Sequence, residues 1–92
     1  MHKKDLILKI SKKTGLTQKN TEKIINSFYE IVSDELKHNN KIVLSGFGSF
    51  GVRVHAARKW KNPRTGKVIK IPKRKVPYFR PGKNFSQEIA NS

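Results

Sequence analysis

Apolar positions near the start of the chain recur at helical spacing. Leu6, Ile7 and Ile10 fall at i, i+1 and i+4, with Lys3, Lys4, Lys9, Lys12 and Lys13 around them. That spacing predicts an amphipathic helix of about three turns. Asp5 in its first turn and Lys12 and Lys13 in its last suit the helix dipole. Gly15 stops it, and Thr17 is suited to N-cap a second helix. There Ile24, Ile25, Phe28, Ile31, Val32 and Leu36 form a wide apolar face, and Asn39 or Asn40 can take the left-handed position that ends it. Two helices with a short link resemble a helix-turn-helix, but the second is too apolar for a reading helix.

After residue 40 the period changes. Lys41-Ile42-Val43-Leu44 is β-prone, and Gly46-Phe47-Gly48 reads as a tight turn. Phe50, Val52 and Val54 then alternate with Gly51, Arg53 and His55, the period of a half-buried strand. A return strand carries Ile69, Ile71 and Val76. Pro72 and Pro77 cannot donate to a ladder and so mark an edge, a bulge or a strand boundary. Beyond Pro81-Gly82, Phe85 and Ile89 share one face of a short terminal helix. The class is α+β: a helical hairpin, a three-stranded antiparallel sheet with a long β-ribbon arm, and a C-terminal helix.

Charge changes the picture. The 92 residues carry 21 Lys+Arg against 6 Asp+Glu, a formal charge of +15. Such an excess points to a polyanion, nucleic acid before membrane. Asp5, Glu22, Glu30, Asp34 and Glu35 all precede Lys37, and no acidic residue lies from Leu36 through Gln87. The first part is a mixed-charge folding platform and the second an electrostatic surface. There is no cysteine, hence no thiol chemistry, and no apolar run nears the roughly 20 residues that span a bilayer. The N-terminus lacks the features of a signal peptide, so the chain is expected to stay where it is made. His2, His38 and His55 lack metal-ligand spacing, and no cofactor is implied. No Ser/His/Asp grouping, phosphate loop or carboxylate pair suggests catalysis.

The charge concentrates in Arg58-Lys59-Trp60-Lys61-Asn62-Pro63-Arg64-Thr65-Gly66-Lys67. Pro-Arg-Thr-Gly can close a hairpin, since Pro pre-sets its φ and Gly accepts a positive one. With Val52–His55 before and Val68–Ile71 after, this is a basic ribbon with a proline at its tip. A two-stranded ribbon fits a DNA groove, and an apolar tip residue can wedge between base steps. An arm from about Arg53 to Lys75 leaves roughly 70 residues for the body, marginal for one independent core. The apolar inventory is nevertheless large: Phe28, Ile31, Val32, Leu36, Leu44, Phe47, Phe50, Val52 and Phe79. A two-fold homodimer sharing a core and presenting two arms reconciles the two.

Gly46-Phe47-Gly48-Ser49-Phe50, Ala56-Ala57-Arg58, Asn62-Pro63-Arg64-Thr65-Gly66-Lys67 and Phe79-Arg80-Pro81-Gly82-Lys83 resemble the bacterial histone-like HU / integration host factor family. The match runs almost end to end, and Ala56-Ala57-Arg58 is closer to the HU branch. The resemblance implies an intertwined dimer whose β-arms embrace DNA through the minor groove. It also implies a tip proline, here Pro63, that intercalates and bends the duplex, a property of the family rather than a reading of residue pattern. The implied function is largely sequence-independent bending and compaction of DNA, preferring bent, nicked or distorted duplex, in the cytoplasmic nucleoid. Two departures stand out. Trp60 replaces a usual Gly near the tip, and His2 replaces a common capping Asn.

One domain is expected, with 1–40 as helical dimerisation part, 41–52 and 76–92 as sheet and terminal helix, and 53–75 as arm. Arg53, Arg58, Lys59, Trp60, Lys61, Asn62, Pro63, Arg64, Thr65, Gly66, Lys67, Lys70, Lys73, Arg74 and Lys75 are the expected arm contacts. Arg80 and Lys83 sit at the body end, Lys83 beside a helix N-terminus as a phosphate clamp with Gly82 allowing close approach. Gly46 and Gly48 are read as turn residues. Phe28, Ile31, Val32, Leu36, Leu44, Phe47, Phe50 and Phe79 are the expected dimer core. Trp60 either meets the DNA sugar edge or flanking bases, or only pairs across the ribbon with Ile69 or Val68. The other classes weighed are a sequence-selective integration-host-factor-like bender and an RNA-binding structural protein. RNA recognition usually needs exposed aromatics, of which only Trp60 and Tyr78 are available. A membrane-surface role would need a basic amphipathic helix, which the first helix matches only weakly.

Overall fold

The computed structural model describes residues 1–92. In chain order the elements are α1 (Lys3–Thr14), α2 (Gln18–Lys37), β1 (Ile42–Leu44), β2 (Gly48–His55), β3 (Arg58–Lys61), β4 (Val68–Ile71), β5 (Arg74–Pro81) and α3 (Lys83–Ala90). Two compact units divide the chain, Met1–Glu35 and Leu36–Ser92.

The first unit is a helical hairpin punctuated as the sequence suggests. His2 N-caps α1, and its backbone N–H donates to the Asp5 carboxylate at 2.9 Å. Asp5 thus supplies one half of a capping box, which limits what the missing Asn costs. Gly15, at φ 78°, ends α1 by donating its N–H to the Ser11 carbonyl. Only a residue without Cβ adopts that conformation freely. The Thr17 hydroxyl accepts the Asn20 N–H at 3.1 Å, the bond of an N-cap. The Lys3 ammonium donates to the Asn26 side-chain oxygen and lies 5.5 Å from the Tyr29 ring centroid, which ties the start of α1 to α2. Ile7 and Ile25 are buried, as is Thr21, whose hydroxyl donates to the Thr17 carbonyl at 2.8 Å.

In the second unit Asn39 takes the left-handed position after α2, at φ 62°. The sheet order is β1-β2-β5, all antiparallel, and β3-β4 forms a separate two-stranded ribbon. The Phe47 N–H closes a turn on the Leu44 carbonyl at 3.0 Å, with Gly46 at φ 82°. Gly48 is not part of that turn, contrary to the sequence reading; it opens β2 opposite Pro81. A Cβ there would lie 2.6 Å from both the Arg80 carbonyl oxygen and the Phe79 ring. Gly48 is therefore demanded by the close approach of β5. Pro77 stands inside β5, opposite Val52, which is tolerated because β5 is an edge strand.

Side chains alternate across strands, and directly paired residues share a face. Ile42, Leu44, Phe50, Val52 and Phe79 therefore lie on one face of the sheet. Phe79 there approaches Phe50 at 5.0 Å and Phe47 at 5.2 Å between centroids, and Phe85 of α3 reaches Phe47 at 4.8 Å. These tilted ring contacts form an aromatic cluster in which Phe50 and Phe85 are half-buried and Phe47 and Phe79 stay exposed. Pro81 ends β5, and the Gly82 N–H donates to the Phe47 carbonyl at 2.8 Å, which seats α3 beside the cluster.

Candidate nucleic-acid interface

The other face of the sheet is polar and cationic. Ser49 pairs with Arg80, Gly51 with Tyr78, Arg53 with Val76 and His55 with Arg74. Arg53, Arg74 and Arg80 thus share one side, opposite the phenylalanines. The Arg53 guanidinium stands 4.9 Å from the Tyr78 ring centroid, a cation–π contact. The Tyr78 ring itself lies over Gly51, where a Cβ would come within 2.6 Å of the phenol oxygen. Two neighbouring residues not among the expected contacts, Lys41 and Ser45, line a shallow hollow with Gly46, Gly48 and Arg80. Neither stands in a charge run, so only the folded β1–β2 turn reveals them.

The ribbon is two ladders rather than one. β2 pairs with β5 as far as His55–Arg74, and pairing resumes at Arg58–Ile71. Ala56-Ala57 and Pro72-Lys73 fall between, and Pro72 has no N–H to continue a ladder. Beyond the break, Arg58 and Trp60 lie on the same face as Ile71 and Ile69, while Lys59 and Lys61 share the other with Lys70 and Val68.

Asn62 closes the tip. Its N–H donates to the Lys67 carbonyl and its own carbonyl accepts the Gly66 N–H, both at 2.8 Å. Its side-chain oxygen accepts the Arg64 N–H at 2.9 Å, and Gly66 sits at φ 71°. Pro63 projects from this hairpin with its ring exposed. Lys67 donates its N–H to the Thr65 hydroxyl at 3.4 Å.

Of the expected contacts, Arg53, Arg58, Lys59, Trp60, Lys61, Pro63, Arg64, Thr65, Gly66, Lys67, Lys70, Lys73, Arg74, Lys75, Arg80 and Lys83 are exposed, and Asn62 is half-buried. Two carry structural duties. The Lys75 ammonium donates to the Lys37 carbonyl at 2.7 Å, capping the C-terminus of α2. The Gly82 N–H is already bonded to Phe47, and a Cβ at Gly82 would lie 3.2 Å from the Phe47 carbonyl oxygen. Gly82 therefore serves a backbone–backbone approach within the protein, and Lys83 beside it is exposed. No group of three or more His, Asp or Glu side chains is placed to hold a metal. No helix is long and apolar enough to cross a membrane.

A small α+β body whose sheet has one phenylalanine face and one arginine face, extended by a basic hairpin with a proline tip, defines a polyanion-binding β-arm protein. Residues 1–90 match the family of bacterial DNA-binding proteins, and the chain belongs to it, in its HU group. It is 48% identical over 88 residues to DNA-binding protein HU of Lactococcus lactis, covering 96% of this chain and 97% of that one. It is 44% identical to DNA-binding protein HU of Thermotoga maritima, covering 97% and 99%. Among solved structures it matches a cocrystal of Anabaena HU with DNA at TM-score 0.87, with 32% identity and full coverage of both chains. The names of these relatives state DNA binding and no enzymatic activity.

Proposed function

We propose that this chain is a non-enzymatic architectural protein that binds and bends double-stranded DNA in the bacterial nucleoid. The observation that carries the reading is the hairpin Arg58–Ile71, a ribbon without a carboxylate, closed so that Pro63 stands exposed at its end. The ribbon enters the minor groove, its lysines meet phosphate, and Pro63 wedges between base steps, the device by which proteins of this family kink DNA. The similarity to a cocrystal of Anabaena HU with DNA supports DNA as the polyanion. Arg53, Arg74 and Arg80 continue the cationic track onto the sheet, and Lys83 meets phosphate at the start of α3. Lys73 lies in the ladder break and Arg74 borders it. Recognition runs through backbone and deformability, so selectivity for sequence is weak, and bent or nicked duplex is preferred because part of the deformation is already made.

The working unit is a homodimer. Phe28 is 41% exposed, Ile31 60%, Phe47 43% and Phe79 38% in one chain, while Val32, Leu44 and Phe50 are half-buried and Leu36 is buried. So much apolar surface on a chain this small is the mark of an interface. Residues 1–40 serve dimerisation, 41–52 and 76–92 the body, and 53–75 the arm. The test is equilibrium titration of intact, nicked and scrambled-sequence duplexes at several salt concentrations. Tighter binding to nicked DNA, with little difference between sequences, is the expected result. A strong preference for one intact sequence overturns it.

A further inference from the structure

The distal ribbon has two chemically different faces. One carries Lys59, Lys61 and Lys70 with Val68; the other carries Arg58 with Trp60, Ile69 and Ile71. Trp60 is directly paired with Ile69, yet pairing leaves Trp60 49% and Ile69 48% exposed. Cross-strand packing therefore does not account for the indole. An apolar stripe this open, on an arm that carries only positive charge, is covered when the arm meets its polyanion. Its occupant must be uncharged surface lying between two rows of phosphate. In duplex DNA that surface is the deoxyribose edge of the minor groove.

Resting on the reading of the ribbon as a DNA arm, we propose that Trp60, backed by Ile69 and Ile71, makes this arm discriminate DNA from RNA. In a DNA groove the stripe meets carbon-bound hydrogens of deoxyribose. In an RNA duplex the corresponding surface is lined with 2′-hydroxyls. Those hydroxyls would lose water against an indole ring and two isoleucines, with only the Arg58 guanidinium and the single Trp60 indole N–H on that face able to bond them. A buried hydroxyl without a partner opposes binding. Trp60 lies about 10 Å up the strand from Pro63 at the spacing of extended chain, well inside the groove rather than at the kink. The contact is uncharged, so it changes affinity without changing the response to salt.

The test compares the wild-type chain with Trp60→Thr and Trp60→Phe on DNA and RNA duplexes of the same sequence, at several salt concentrations. Threonine retains strand propensity, and the unchanged thermal midpoint of each variant verifies folding. Wild-type Trp60 fluorescence should shift or quench on saturation with DNA. Trp60→Thr should lose about fivefold in DNA affinity at every salt concentration, with the salt slope kept. Its RNA affinity should stay within twofold or rise, and Trp60→Phe should restore most of the DNA preference. Unchanged emission at saturating DNA, an undiminished DNA affinity, or an equal loss on both duplexes overturns the proposal while leaving the arm reading intact. Failure of the wild type to bind duplex DNA at all overturns both.

Discussion

Gly46 and Gly48 stand two residues apart, and the structure gives them different reasons to be glycine. Gly46 sits at φ 82° with open space where a Cβ would go. Alanine there pays only for the left-handed backbone, about 1–2 kcal/mol. Gly48 has an ordinary strand conformation, but a Cβ would fall 2.6 Å from the Arg80 carbonyl oxygen and 2.6 and 2.8 Å from two Phe79 ring atoms. A ring can turn, whereas the Arg80 carbonyl belongs to the β2–β5 ladder and moves only with the strand. Gly48→Ala must therefore spread the ladder and disturb the Phe47–Phe50–Phe79–Phe85 cluster together. Overpacking of this kind costs roughly 3 kcal/mol, the upper end of its usual range. Thermal unfolding at one fixed chain concentration measures both variants. At about 4–8 °C per kcal/mol for a domain of this size, Gly48→Ala should lower the thermal midpoint by at least about 12 °C and Gly46→Ala by roughly one to two thirds as much. Gly46→Asn should recover part of its loss, because Asn tolerates the left-handed region, and Gly48→Asn should recover none. A Gly48→Ala midpoint equal to or above that of Gly46→Ala would refute the close-approach reasoning.

Binding should be strongly electrostatic: if a dimer neutralises about 8 phosphates, log K against log[salt] falls with a slope near −7, and a flat response contradicts the cationic track. The thermal midpoint should rise with chain concentration, as linkage to association requires, and a folded monomer at low micromolar concentration would count against the dimer. Phe47→Ala should cost about 3 kcal/mol in equilibrium unfolding if association buries the ring, against under about 0.5 kcal/mol if the ring stays at the surface. Asn62→Ala removes the acceptor of the Arg64 N–H and should speed amide exchange at the tip by about fivefold while leaving the thermal midpoint unchanged.

Local chemistry made the helices legible. Gly15, Thr17 and Asn39 act within a few residues of themselves, so their roles follow from type and position. The tip was legible for the same reason, since Asn62, Pro63 and Gly66 close it with bonds inside one hairpin. What escaped depends on register between distant segments. Gly48 faces Pro81 across 33 positions of sequence, and no local signal separates a turn glycine from one crowded by a partner strand. The break between Ala56-Ala57 and Pro72-Lys73 was legible on one side only: Pro72 marks a boundary, whereas nothing in Ala56-Ala57 interrupts the strand pattern. Lys75 belongs to the same basic run as Lys73 and Arg74, yet its ammonium caps α2. Likewise the division of the ribbon into a lysine face and a tryptophan face follows from the Trp60–Ile69 pairing and not from composition.

Bending by the proline-tipped arm is tested most directly by ligating linear DNA of about 100 base pairs, shorter than the roughly 150-base-pair persistence length, into circles at fixed salt. Wild-type protein at saturation should raise the yield of monomer circles at least tenfold over DNA alone. Pro63→Ala should bind within about threefold of wild type yet lose most of that gain, since the wedge and not the charge makes the kink. No increase in circles at saturating wild-type protein, or full circle formation with Pro63→Ala, would contradict the claim.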